Sequence, residues 1–199
     1  MNNPLNPMPS ASPVEERPRN RAGSLPPPSV LRETPSNSDP PAPEANVEAL
    51  RRLLNGLQDS GAAFQSVAVV AVQTIEHALC FEREATKAAL SLGQQQKMQA
   101  MVATASEASQ LLRDALQAQG ARVMHLCACP PETKARSGQS WWNAVQDALR
   151  VLEEGNGRMA SLTTAQPKGS PAYTLCHLTA QLLRDHHDAL VLEAEGWIG

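Results

Sequence analysis

Residues 62–92 read AAFQSVAVVAVQTIEHALCFEREATKAALSL, and the way this stretch is covered decides the fold. It contains no proline, and its apolar positions step by four and three: Phe64, Ala68, Ala71, Ile75, Ala78, then Ala85, Ala89 and Leu92. That spacing keeps one seam on a single side of an α-helix and suits packing against other helices. Glu82 is the one charged residue on the seam, and its neighbour Phe81 can take the apolar role if the helix rotates slightly. From Ser60 to Ile75 there is no charged residue at all, while Val67, Val69, Val70 and Val72 put branched apolar groups on more than one face. Such a helix cannot face water all round. It needs a central place in a bundle, a partner chain or an apolar particle surface, and at least one of these valines is expected on an association surface.

The same step runs upstream through Leu50, Leu54, Leu57 and Gly61, and proline is absent from Glu44 to Ala128. A second seam follows through Met98, Met101, Ala105, Ala108, Leu112, Leu116, Val123 and Leu126, interrupted by Gly120. Gly93 stands where a C′ glycine would end a helix, so 62–92 and 94–126 are expected to form the two arms of a long antiparallel helical hairpin. Cys127 to Gln139, with Pro130-Pro131 and Ser137-Gly138, reads as a loop. Ser140 is an N-cap signal for a helix carrying Trp141, Val145, Ala148 and Leu152, with Trp142 and Leu149 beside them, and Gly155-Asn156-Gly157 is expected to end or kink it. Ser170-Pro171 starts the last helix, which presents Leu175, Leu178, Leu182, Leu183, Leu190, Ala194 and Trp197. The fold class is all-α: the hairpin plus two shorter helices, in a bundle or coiled coil.

Composition supports this reading. Of 199 residues only 3% are aromatic, and twelve of the 16 prolines fall within the first 43. Residues 1–43 have no apolar periodicity and are read as a disordered arm, followed by the hairpin (44–126), the loop (127–139) and the C-terminal helices (140–199). A net charge of −3 without a basic stripe argues against nucleic acid as a partner. No apolar run approaches the roughly 20 residues of a membrane span, so no transmembrane segment is expected. With no basic and apolar leader at residues 1–10, the chain is expected to be cytoplasmic, its four cysteines free thiols in a reducing compartment, although an even count permits disulfides.

Chemistry-bearing clusters are few. His125, Cys127, Cys129, Cys176 and His177 offer zinc donors, but one residue between Cys127 and Cys129 is too few for the common zinc turns, so no metal is expected. Asp185-His186-His187-Asp188 reads as a solvated face opposite the leucines, because adjacent helical residues point about 100° apart. Glu82, Arg83, Glu84 and Lys87 are read in the same way, with Glu84 and Lys87 a surface i, i+3 pair, while Glu76 and His77 are expected to face solvent or a neighbouring helix. No glutamate is followed by histidine three residues on, which removes a carboxylate di-iron site. With no phosphate loop or nucleophile elbow either, neither a catalytic residue nor a cofactor is expected.

The stretch from Asn46 to about Leu126 resembles the phasin family of polyester-granule coat proteins. The likeness lies in Asn46-Val47-Glu48-Ala49-Leu50, in the proline-free Ala/Gln/Leu-rich heptads, and in Ala85 to Leu92 leading into Gln94-Gln95-Gln96 and a second long helix. It implies a non-enzymatic protein that self-associates through helices and lays apolar faces on a polyhydroxyalkanoate granule. The residues proposed for that interaction surface are Phe64, Val67, Val69, Val70, Val72, Ile75, Trp141 and Trp142. The alternative is a type III-secreted or adaptor protein, with the Pro/Ser-rich arm as its export segment.

Overall fold

A computed structural model of the chain describes residues 43–57, 61–121 and 140–198. All of them belong to one compact unit, residues 38–199. They form five helices: α1 (Pro43–Asn55), α2 (Ala62–Lys87), α3 (Leu92–Ala118), α4 (Trp141–Ala165) and α5 (Pro171–Ile198). Among the described residues there is no strand, and the fold is all-α.

Local chemistry sets most of the helix ends. Ser140 caps α4 by accepting from the Asn143 N–H, and Ser170 caps α5 by accepting from the Tyr173 N–H at 3.1 Å. Pro171 then occupies the first turn of α5, where its missing N–H costs nothing. At the start of α3, Ser91 accepts from the Gln94 N–H at 3.2 Å while the Gln94 side chain accepts from the Leu90 N–H, a near relative of the capping box. Gly120 closes α3: its φ of 72° suits glycine, and the Ala121 N–H turns back to the Leu116 carbonyl at 3.0 Å.

These ends correct three expectations. The chain leaves α2 at Lys87, and Gly93 lies inside the first turn of α3, because the Ser91 and Gln94 cap outweighs one glycine in a helix. The C-terminal helices are not short, since α4 and α5 have 25 and 28 residues against 26 and 27 for α2 and α3. Nor does Gly155-Asn156-Gly157 break α4, which continues to Ala165. The expected arm, the loop at 127–139, and Val123 and Leu126 of the second seam lie outside the described residues, apart from Pro43 at the head of α1.

Specific contacts fix the senses of the helices. Glu76 meets Ser109 and Arg113, and Arg83 meets Ser106, so numbering rises on α2 as it falls on α3. Gly155 of α4 lies against Thr74 and Leu183, and Thr163 bonds Cys176, which sets α4 against the sense of α5. Glu82 meets His186 while Ile75 shares a small cavity with Leu178 and Leu182, so α2 and α5 run alike. Asn46 meets Asp185 and Leu50 lines the same cavity, so α1 runs against α5.

Helix α2 sits among α3, α4 and α5. Its buried residues include Phe64, Val67, Ala68, Ala71, Val72, Ile75, Ala78 and Ala85, the sequence seam together with positions beside it. By length and mean hydropathy (1.3) α2 is apolar enough to cross a bilayer, yet 56% of that window is buried by the bundle, as in a helix whose apolar faces are covered by other helices.

Gly155 marks a close approach of α4 to α2. A Cβ there would come within 2.9 Å of Thr74 Cγ2, and the Thr74 rotamer is held by its hydroxyl donating to the Val70 carbonyl at 2.8 Å. Gly157, two residues past the contact, faces open space. Gly155→Leu is therefore expected to destabilise the fold by about 1–3 kcal/mol through overpacking. Gly157→Ala is expected to stabilise it by up to about 1 kcal/mol. Urea midpoints of the two variants check both signs.

Candidate functional site

The eight residues marked as an interaction surface divide sharply. Phe64, Val67, Val72, Ile75 and Trp141 are each at most 4% exposed and belong to the bundle's own core. Val69, Val70 and Trp142 are half-buried, packed against that core from its edge. The surface read from the sequence is thus mostly interior.

The interior also holds charge. His186 of α5 and Glu82 of α2 are each 1% exposed, with Nδ1 and Oε1 2.7 Å apart. This corrects the reading of 185–188 as a solvated face: His186 takes the third place in a four-residue step with Leu178, Leu182 and Leu190, and it is buried as Leu182 and Leu190 are. Glu82 does occupy the seam, and Phe81, half-buried, does not replace it. Among the described residues no group meets Glu82 Oε2 or His186 Nε2. Beside the pair, Asp185 accepts from Gln181 at 2.7 Å and from Asn46 of α1. Burial pushes the Asp185 carboxyl above its usual range, offset by those two hydrogen bonds and by the pull of His186. A second polar link joins α2 to α3, where Glu76 accepts from Ser109 at 3.0 Å and pairs with Arg113, both largely buried. His77, by contrast, is exposed and stands edge-on to Phe81.

The cavity between α1, α2, α3 and α5 has a volume of about 10 Å³, enough for one water and far below the hundreds of Å³ a substrate needs. Among the described residues no three His, Cys, Asp or Glu side chains gather as metal ligands. Of the zinc candidates, His125, Cys127 and Cys129 lie outside the described residues. Cys176 is a buried free thiol, its ionisation disfavoured by burial, and His177 is exposed.

One end of the bundle differs from the rest. The helix senses bring together the start of α1, the turn at 88–91 with the start of α3, the start of α4 and the last turns of α5; the Lys97–Glu193 ion pair ties α3 to α5 there. Leu90, Leu92 and Leu192 are 63%, 70% and 68% exposed, and they are the exposed large hydrophobic residues among those described. Trp142, half-buried, opens α4 at the same end. From Ala88 to Gln96 the chain carries no charge. Sequence periodicity could not isolate this patch, because Leu92 continues the seam of α2 and falls out of the core only where the chain turns.

No protein-family model matches the chain, and neither a curated protein nor a solved structure shows detectable similarity to it.

The thiol expectation needs one correction. Cys80 of α2, 6% exposed, is disulfide-bonded, and its bonding partner lies outside the described residues. A cross-link to a central helix restricts the unfolded chain, typically stabilising the fold by about 2–4 kcal/mol. Reductant is therefore expected to lower the melting temperature by several degrees, read by circular dichroism with and without a phosphine reductant. An unmoved melting temperature would show that this bond does not support the bundle.

Proposed function

We propose that this chain is a non-enzymatic interaction protein of the phasin type, attaching to an apolar surface such as a polyhydroxyalkanoate granule by one end of its bundle. The observation that carries the reading is the position of the three exposed leucines, Leu90, Leu92 and Leu192, at one end of the bundle, the end that holds the uncharged stretch Ala88–Gln96 and the half-buried Trp142. Scattered surface leucines need no explanation, but a set of them gathered at one end favours contact with something apolar. The mode departs from the one the resemblance implies. The long apolar faces are spent inside the bundle, so attachment is end-on, and self-association would draw on the same end.

The test is sedimentation with polyhydroxybutyrate beads. The wild type should bind, and the triple variant Leu90→Gln, Leu92→Gln, Leu192→Gln should bind at least about tenfold more weakly with its helical signal intact. A wild type that ignores the beads, or a triple variant that binds as well as the wild type, would remove this reading.

A second reading draws on Cys80. A stable disulfide suits an oxidising compartment better than the cytoplasm, which favours an exported protein whose residues 1–43 act as the export segment. A reporter fused to residues 1–43 separates the two: export supports the second reading, and granule localisation of the full chain supports the first.

A further inference from the structure

Helices α3 and α4 both run against α2, so they run alike, and among the described residues they do not touch. Between them α2 keeps one open side. Glu76 and Arg83 reach toward α3 and Thr74 toward α4, which leaves Ser66, Gln73, Cys80 and Lys87, spaced about two turns apart, on the row between. Ser66 and Lys87 are exposed and Gln73 is half-buried, as befits a row that no described helix covers. Cys80 departs from it, being 6% exposed and disulfide-bonded. Val69 and Val70, both half-buried, flank the row on either side.

Counting identifies the stretch that Cys80 bonds. The chain has four cysteines, Cys176 is a free thiol, and the two that remain, Cys127 and Cys129, both fall between Ala121 and Ser140. Those two flanking residues stand at different heights on the bundle. Ala121 lies about two turns beyond Arg113, which pairs with Glu76, and so stands level with about Ala68 of α2. Ser140 lies about four turns before Gly155, which packs on Thr74, and so stands level with about Ala89. The connection therefore has to travel along α2 for about 30 Å at 1.5 Å per residue, and residues 122–139 reach at most about 60 Å when fully extended. The direct route from α3 to α4 crosses the open side of α2, which lies between them, whereas the other way round passes outside α1 and α5.

We propose that residues 122–139 dock along the open side of α2, between α3 and α4, and are fastened there by a disulfide from Cys80 to Cys127 or Cys129. The stretch has the chemistry for this. Val123, Met124 and Leu126 follow closely on the level of Ala68 and supply apolar side chains for Val69 and Val70, and Pro130-Pro131 favours the extended backbone that the span requires. The bond closes a loop that contains the whole of α3, so it ties the far side of that helix back to α2. With this flank of α2 taken by the chain itself, contact with an outside apolar surface falls to the leucine end, and the docking does not depend on what that end binds.

Two measurements on the full-length chain, purified without reductant and equilibrated in an oxidising glutathione buffer, test this. Peptide mapping should find Cys80 bonded within the same chain to the peptide that carries Cys127 and Cys129, with Cys176 a free thiol. Limited digestion with trypsin should cut after Arg122, Lys134 and Arg136 at least about tenfold faster in Cys80→Ser than in the wild type, with the helical signal of the variant kept. Should Cys80→Ser not fold, the wild type with and without a phosphine reductant gives the same comparison, at a temperature below both melting transitions. A free Cys80, a bond to Cys176, a bond between chains, or equal rates of cutting at these sites would each overturn the proposal.

Discussion

A helix whose first fourteen residues, Ala62 to Ile75, carry no charge cannot face water all round, and the rest of the bundle is arranged around that fact. Three helices, α3, α4 and α5, pack against α2. Residues that look like material for an external contact, Phe64, Val67, Val72 and Ile75, are consumed by this packing. Small side chains make it possible: Ala68, Ala71, Ala78 and Ala85 let neighbours approach, and Gly155 brings α4 against Thr74. Close approach of this kind leaves little slack, so volume changes at the contact are felt directly.

Polar groups inside the bundle fix which residues face each other. Apolar seams of alanine and leucine tolerate sliding, whereas Glu82 with His186 and Glu76 with Arg113 meet in one register only. Such pairs contribute less to stability than their number of contacts suggests, because burial has already removed the hydration of each charge. Their effect here is to join α2 to α5 and α2 to α3 at defined heights. That registry also places the turn at 88–91, the start of α4 and the last turns of α5 at one end, where the exposed leucines gather.

Much of this architecture is legible in the residues. The step of four and three from Phe64 to Ala85 marks the buried face of α2, and Ser140 and Ser170-Pro171 mark helix starts that the backbone adopts. The misses have physical causes. At the α2–α3 turn the glycine is the more conspicuous signal, but Ser91 and Gln94 satisfy backbone N–H groups and so decide the boundary. At 155–157 two glycines suggest a break, yet one of them is required by close packing and the helix continues through both. His186 was readable from its place in the leucine step, and Glu82 from its place on the seam. Two ionisable residues at core positions of different helices are a signal that they meet, and reading each helix alone hides it. The Cys80 disulfide carries no such local mark, since cysteine spacing does not reveal pairing. Five of the eight proposed surface residues, Phe64, Val67, Val72, Ile75 and Trp141, lie in the core instead, because apolar content does not say whether a helix is covered by its own chain.

That distinction is open to direct measurement. Amide hydrogen exchange of the full chain at neutral pH reports how each helix opens. If α2 is covered by its own bundle, the amides from Phe64 to Glu82 should be among the slowest, exchanging only with global unfolding. If those amides exchange well before the ones in α3, α4 and α5, then α2 opens on its own, and its apolar faces are not held by the bundle as described.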